Sequence, residues 1–147
     1  MQSAECGIEH SAGTPNSKLR ICLPPMQPVV HFEFHAVDLG KSLAFFEELF
    51  GWKIQKFGGP HEYWLVQTAE PGQPGIGGGI MRSPDGKPRT INTVQVPNVV
   101  EYVAQAIAMG GECCLPKMAI PGVGWLAYCT DPSGVIFGLM QPDPAAK

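Results

Sequence analysis

The stretch Val30-His31-Phe32-Glu33-Phe34-His35-Ala36 alternates apolar and ionisable residues without a break. A β-strand turns successive side chains to opposite faces. Val30, Phe32, Phe34 and Ala36 therefore share one face, and His31, Glu33 and His35 share the other. If the first face packs against a helix, the second sets two imidazoles and a carboxylate along one wall. Such groups can transfer protons or ligate a metal near neutral pH.

Working outward, the spacing predicts a strand over 29–36 and a helix that Asp38 caps. Leu39, Leu43, Phe46 and Phe50 recur at helical spacing, Lys41, Glu47 and Glu48 lie on the other side, and Gly51 stops the run. Strands are expected over Trp52–Phe57, Tyr63–Thr68 and the glycine-rich Gly77–Met81, separated by Gly58-Gly59-Pro60 and by Gly72 to Gly75. After a linker, Ser83 to Pro88, the pattern recurs. Thr90–Val96 reads as a strand, Asn98 as a helix cap with Glu101 three residues later, and Val99, Val103 and Ile107 as the apolar stripe. Gly110-Gly111 stops this helix, and strands follow over Cys113–Pro116, Gly124–Thr130 and Val135–Gln141.

Shifting the chain by 60 residues brings Asp38 onto Asn98, Leu43 onto Val103, Gly51 onto Gly111 and Gly78 onto Gly138. The fold class expected is α+β: two βαβββ modules forming a concave, mainly antiparallel sheet with helices on the convex face. One such unit cannot cover its own sheet, so two pair. The expected domain spans 29–143, with modules 29–82 and 89–141, behind a flexible N-terminal tail over 1–28. Met26, just before the first strand, is a candidate native start, which the intact mass of the natural protein decides.

The composition limits the function classes. Of 147 residues, 44% are hydrophobic and 16% charged, which suits a globular core. A net charge of −3 without a run of Lys or Arg argues against nucleic-acid and anionic-membrane partners. No apolar run approaches the roughly 20 residues that span a bilayer. Five cysteines form no CxxC pair, and Cys113 and Cys114 are adjacent, so reduced thiols in a cytoplasmic protein are expected rather than a structural zinc site. Cys113, Cys114 and Cys129 read as small buried hydrophobes.

The arrangement resembles the vicinal oxygen chelate superfamily of glyoxalases, bleomycin-resistance proteins and extradiol dioxygenases. The resemblance covers about residues 29–141. It rests on His31-Phe32-Glu33 ahead of Asp38, on Phe45 to Trp52, on Gly77-Gly78-Gly79, on Gly110-Gly111 and on Asp131-Pro132-Ser133-Gly134. The resemblance implies a metal ligand from the first and last strand of each module. His31 matches the first of these, but its counterpart is Ile91, and the last-strand positions fall near Gly78 and Gly138. Neither Gly77 to Ile80 nor Ile136 to Met140 holds a Glu, Asp or His. The expectation is therefore a dismantled metal site and no cofactor, with a small organic ligand and a homodimer as the partners the resemblance implies.

The candidate ligand-binding residues are His31, Glu33, His35, Trp64, Gly78, Trp125 and Gly138, with Tyr63 beside Trp64. Glycines at 78 and 138 would enlarge the cleft. His61, next to a turn, is expected in solvent, and His10 belongs to the tail. Two functions follow. One is a metal-free small-molecule-binding protein. The other is a lyase, isomerase or dioxygenase-like enzyme using His31, Glu33 and His35 for proton transfer or a non-standard divalent-metal site.

Overall fold

The computed structural model describes residues 24–147. The tail expected over 1–28 lies, up to residue 23, outside the described residues. The elements are β1 (Val29–Ala36), α1 (Leu39–Phe50), β2 (Lys53–Lys56), β3 (Tyr63–Gln67), β4 (Gly77–Arg82), β5 (Arg89–Gln95), α2 (Val99–Ala108), β6 (Glu112–Ile120), β7 (Gly124–Thr130) and β8 (Ile136–Pro142). All eight strands form one open sheet in the order β2-β3-β4-β1-β5-β8-β7-β6. This is the expected pair of βαβββ modules, joined where β1 and β5 run antiparallel with Phe32 opposite Asn92.

Local chemistry sets the helix ends. The Asp38 carboxylate accepts from the Lys41 N–H at 3.1 Å, and Gly51 closes α1 at φ 67°, where a side chain would be strained. Asn98 does the same for α2, accepting from the Glu101 N–H at 3.2 Å. That helix ends at Ala108, with Met109 as its C-cap just before the glycine pair. Strand β6 runs well past Pro116, because register shifts between Cys113 and Leu115 and between Leu115 and Met118 let the chain re-enter the ladder.

Each module has its own core. Leu39, Val66 and Ile80 are buried in the first, with Phe32, Phe34, Phe46 and Trp52 packed around them. Val96, Val99, Ala127, Cys129 and Leu139 form the second. Both helices lie on the same face of the sheet: Phe34 of β1 stacks on Phe46 of α1, and Val99 of α2 packs with Ala127 and Leu139. Ile80 is fully buried, and burying such a side chain is worth roughly 1.5–3 kcal/mol. No helix among the described residues is long and apolar enough to cross a membrane.

Candidate functional site

With Phe32 and Phe34 turned to α1, the alternation in β1 sends His31, Glu33 and His35 to the helix-free face. Register names their neighbours. In β5 they are Thr93, Ile91 and Arg89, and in β4 they are Gly77, Gly79 and Met81. Glu33 is only 6% exposed and His35 only 8%, so the wall's centre is dry. Ile91 and Thr93 beside it are buried as well.

A buried carboxylate must be hydrogen-bonded or it loses its charge. Glu33 is bonded twice over. Its Oε1 lies 2.7 Å from His35 Nε2, and the Tyr128 hydroxyl donates to both carboxylate oxygens at 3.1 Å. An ionised carboxylate only accepts, so it holds the His35 proton on Nε2. His35 Nδ1 is then left buried without a partner. His31 Nε2 pairs with the Tyr63 hydroxyl at 2.8 Å.

Burial depresses the His31 pKa, and the Glu33 charge opposes this only in part. Burial first, and the Glu33 charge second, push both the Tyr63 and Tyr128 hydroxyls well above the usual phenol range. The two phenols therefore stay protonated as donors, and a neutral His31 accepts from Tyr63.

The tyrosines arrive from opposite flanks. Tyr63 stands on β3, beyond β4, and its ring lies where a Cβ on Gly79 would be, so only glycine lets it cross to His31. Tyr128 stands on β7, directly opposite Gly138 of β8, and reaches over β8 and β5 to Glu33. Around this polar floor, Leu126, Met140 and Met81 are half-buried on the same face and give it an apolar rim.

Three expected site residues lie elsewhere. Gly78 faces the helix side, because it pairs with Phe32 and a Cβ there would strike the Phe32 ring. The glycine on the open face is Gly79. The reason is a one-residue difference in register: Phe32 pairs with Gly78, whereas Thr93, not Asn92, pairs with Gly138. Trp64 is opposite Ile80 and packs with the first core, its Nε1 buried without a partner. Trp125 packs against the second core, donates to Asp143 at 3.0 Å and carries Lys117 over its ring. Gly138 is on the open face, where a Cβ would come within 2.6 Å of Thr93 Oγ1. His61 is exposed.

Tyr128 is the residue that sequence reasoning missed. Counting back from the Asp131-Pro132-Ser133-Gly134 turn finds it, because Thr130 pairs with Ile136 and Tyr128 with Gly138. An open groove of about 640 Å³ lies at the end of β1, between Phe34, His35, Phe46 and Arg89.

Of the other positions that the resemblance assigns to metal ligands, Ile91 and Gly138 share the face of His31 without offering a donor side chain, Gly78 faces the helices, and Gly79, the glycine on the open face, adds no donor. Among the described residues, no three His, Cys, Asp or Glu side chains are grouped to hold an ion.

Residues 29–69 match the family described as bleomycin resistance protein-like N-terminal. A Mycobacterium tuberculosis protein named as a candidate glyoxylase, CFP32, is 26% identical over 144 aligned residues, covering 90% of this chain and 47% of its own. Its Mycobacterium bovis counterpart matches equally. The chain thus spans about half the length of the curated relatives it matches.

Among solved structures, methylmalonyl-CoA epimerase from M. tuberculosis superposes with a TM-score of 0.61 at 14% identity, over 79% of this chain and 88% of that one. A hypothetical protein from Bacillus halodurans C-125 gives 0.63 at 11% identity, over 82% and 98%. The Streptomyces coelicolor epimerase, in complex with 2-nitronate-propionyl-CoA, gives 0.59 at 11% identity, over 81% and 96%. At such identities these structures speak to the fold alone. With the duplicated module, the β1 motif and the matched N-terminal segment, they lead to one conclusion: the chain has the paired βαβββ, glyoxalase/bleomycin-resistance-like fold of the vicinal oxygen chelate superfamily and is similar to its members.

Proposed function

We propose that this protein binds a small, partly apolar organic molecule on the helix-free face, against His31 and Tyr63, without a metal. One observation carries the reading: two protonated phenols from opposite flanks converge on a neutral imidazole and a buried carboxylate. Fixed donors and acceptors of this kind orient a ligand, and the surrounding Met and Leu side chains adapt to its body. The mismatch between the expected ligand positions and a four-ligand metal site supports the metal-free form.

Thermal denaturation in the presence of a panel of flat aromatic compounds, each bearing one amide, phenol or carboxylate, tests this. A ligand that binds only the folded state at 100 times its Kd adds about 2.7 kcal/mol. Stabilisation by members of the panel, reduced in His31→Ala and Tyr63→Phe, is the expected result. Stabilisation by zinc, nickel or manganese chloride alone, with none from the panel, would overturn it.

A second reading is favoured by Glu33. A carboxylate 6% exposed, with one imidazole and one phenol and no Lys or Arg among its partners, suits proton transfer to or from a bound carbon or oxygen acid. On this reading the protein is an isomerase- or lyase-like enzyme, and Glu33→Gln abolishes turnover while ligand affinity survives. A cytoplasmic location and a homodimer complete the proposal. Phe45, Leu49 and Phe50 of α1 are each more than half exposed, and light scattering decides the oligomeric state.

A further inference from the structure

Cys113 and Cys129 are Cα partners in the β6–β7 ladder. Directly opposed residues of an antiparallel pair share a face, with Cβ atoms about 4.5–5.5 Å apart. Their Cα separation of about 4.5–5.5 Å lies inside the range a disulfide spans. Both thiols belong to the second core beneath α2, where Cys113 packs against the cluster that contains Cys129. Access to them is unequal: Cys129 is fully buried, Cys113 is half-buried, and Cys114 is exposed. The register shift after Cys113 takes Cys114 out of the ladder and leaves it without a Cα partner on β7. Among the described residues, only one pair of thiols is therefore aligned across the strands.

We propose that Cys113 and Cys129 form a reversible cross-strand thiol–disulfide couple, oxidised by low-molecular-weight disulfides of the glutathione class. The half-buried Cys113 thiolate attacks one sulfur of the small disulfide, forms a mixed disulfide and expels one thiolate. That thiolate takes up the proton lost by Cys129, whose sulfur attacks Cys113 and expels the second small thiolate, which takes from water the proton that Cys113 released on ionising. Two protein thiols become one disulfide, and one small disulfide becomes two thiols. Burial, and then the neighbouring Cys113 thiol, hold the Cys129 thiol up to about 11, which suits it to resolve rather than to initiate. The couple is independent of the proposed ligand site. Its closure ties the edge strand β6 to the strand that carries Tyr128.

The test equilibrates the full-length folded protein with glutathione disulfide, quenches it in acid, alkylates it and maps tryptic peptides. Cleavage after Arg89 and Lys117 separates the two partners, with Cys113 and Cys114 on residues 90–117 and Cys129 on 118–147. The expected product is these two peptides joined, two hydrogens lighter than their sum, and separated again by dithiothreitol. In a variant with Cys6, Cys22 and Cys114 all replaced by Ser, the same link forms. In Cys129→Ala, a glutathione adduct accumulates at Cys113 instead.

A stable adduct on Cys113 in the otherwise unaltered chain would overturn the proposal. So would a Cys113–Cys114 or Cys114–Cys129 link, or Cys129 alkylating only after unfolding while Cys113 remains a thiol. If a variant fails to fold, fragment sequencing of the joined peptides from the natural chain decides, because it shows whether Cys114 carries the alkyl group and Cys113 the link, or the reverse.

Discussion

Replacing Tyr128 by Phe deletes one hydroxyl and leaves the ring in place. In the folded protein that hydroxyl serves both oxygens of a carboxylate that is 6% exposed. A hydrogen bond to a charged group is worth about 1.5–3 kcal/mol, and its loss leaves Glu33 with His35 as its remaining partner. The reasoning gives a cost of about 2 kcal/mol. For a domain of this size that corresponds to a fall in Tm of roughly 6–10 °C. Urea denaturation followed by far-UV circular dichroism at pH 7.5 reads it directly.

The cost should nearly vanish in a Glu33→Leu background, since removing both partners of a buried bond can be almost neutral. A cost below about 0.5 kcal/mol in the natural background would refute the reasoning. So would an undiminished cost in the Glu33→Leu background, because either result means that the phenol is not holding a buried charge.

Four further outcomes are expected. Tyr63→Phe removes a bond to a half-buried neutral imidazole and costs less than Tyr128→Phe, about 1 kcal/mol by the same urea assay. Gly79→Ala forces the Tyr63 ring aside and costs about 1–3 kcal/mol, whereas the same change at Gly58 costs less, since nothing there lies within reach of a Cβ and its backbone is not left-handed. Asp38→Ala removes the α1 cap and costs about 1 kcal/mol, measured as a lower Tm. Because burial holds His31 below its ordinary 6.5, the unfolded chain takes up that proton first. Stability therefore falls as pH drops below about 6.5, with the full loss below the folded value. Urea midpoints between pH 7.5 and 5 should show this slope, and His31→Gln should flatten it.

Much of this was legible in the chain because one constraint was written twice. Residues 30–36 declare their two faces by strict alternation, and the caps Asp38 and Asn98 stand where the side-chain bonds are found. The site was less legible, for a reason of register. A strand's side chains change face at every residue, so a slip of one moves a residue across the sheet. The 60-residue shift carries Gly78 onto Gly138, yet their β1 and β5 partners, Phe32 and Thr93, are 61 residues apart. Gly78 therefore turns to the helix and Gly79 to the open face. Trp64 and Trp125 failed similarly: aromatic character alone does not give a face, whereas pairing with Ile80 and Gln141 does. Tyr128 escaped notice because the bond that matters joins residues 95 positions apart.

The two faces of the duplicated sheet answer to different demands. On the helix side each module must fill a core, and both comply alike: Leu39 and Val99, equivalent by the shift, are 3% and 0% exposed. The open face carries no such demand, and there the modules diverge. Strand β1 presents His31, Glu33 and His35. Strand β5 presents Arg89, which is tied to Asp85, and then Ile91 and Thr93, which offer one hydroxyl between them. A site shared by symmetry would need polar groups from both strands. Here the second module enters the hydrogen-bonded network through one side chain, Tyr128, and it does so by reaching across β8 and β5 to the acid on β1. The chemistry is therefore concentrated along one strand and the remainder of the face supplies shape. That is why changes at His31 or Tyr63 should alter ligand affinity, while Ile91, buried beneath the network, should influence it only through stability.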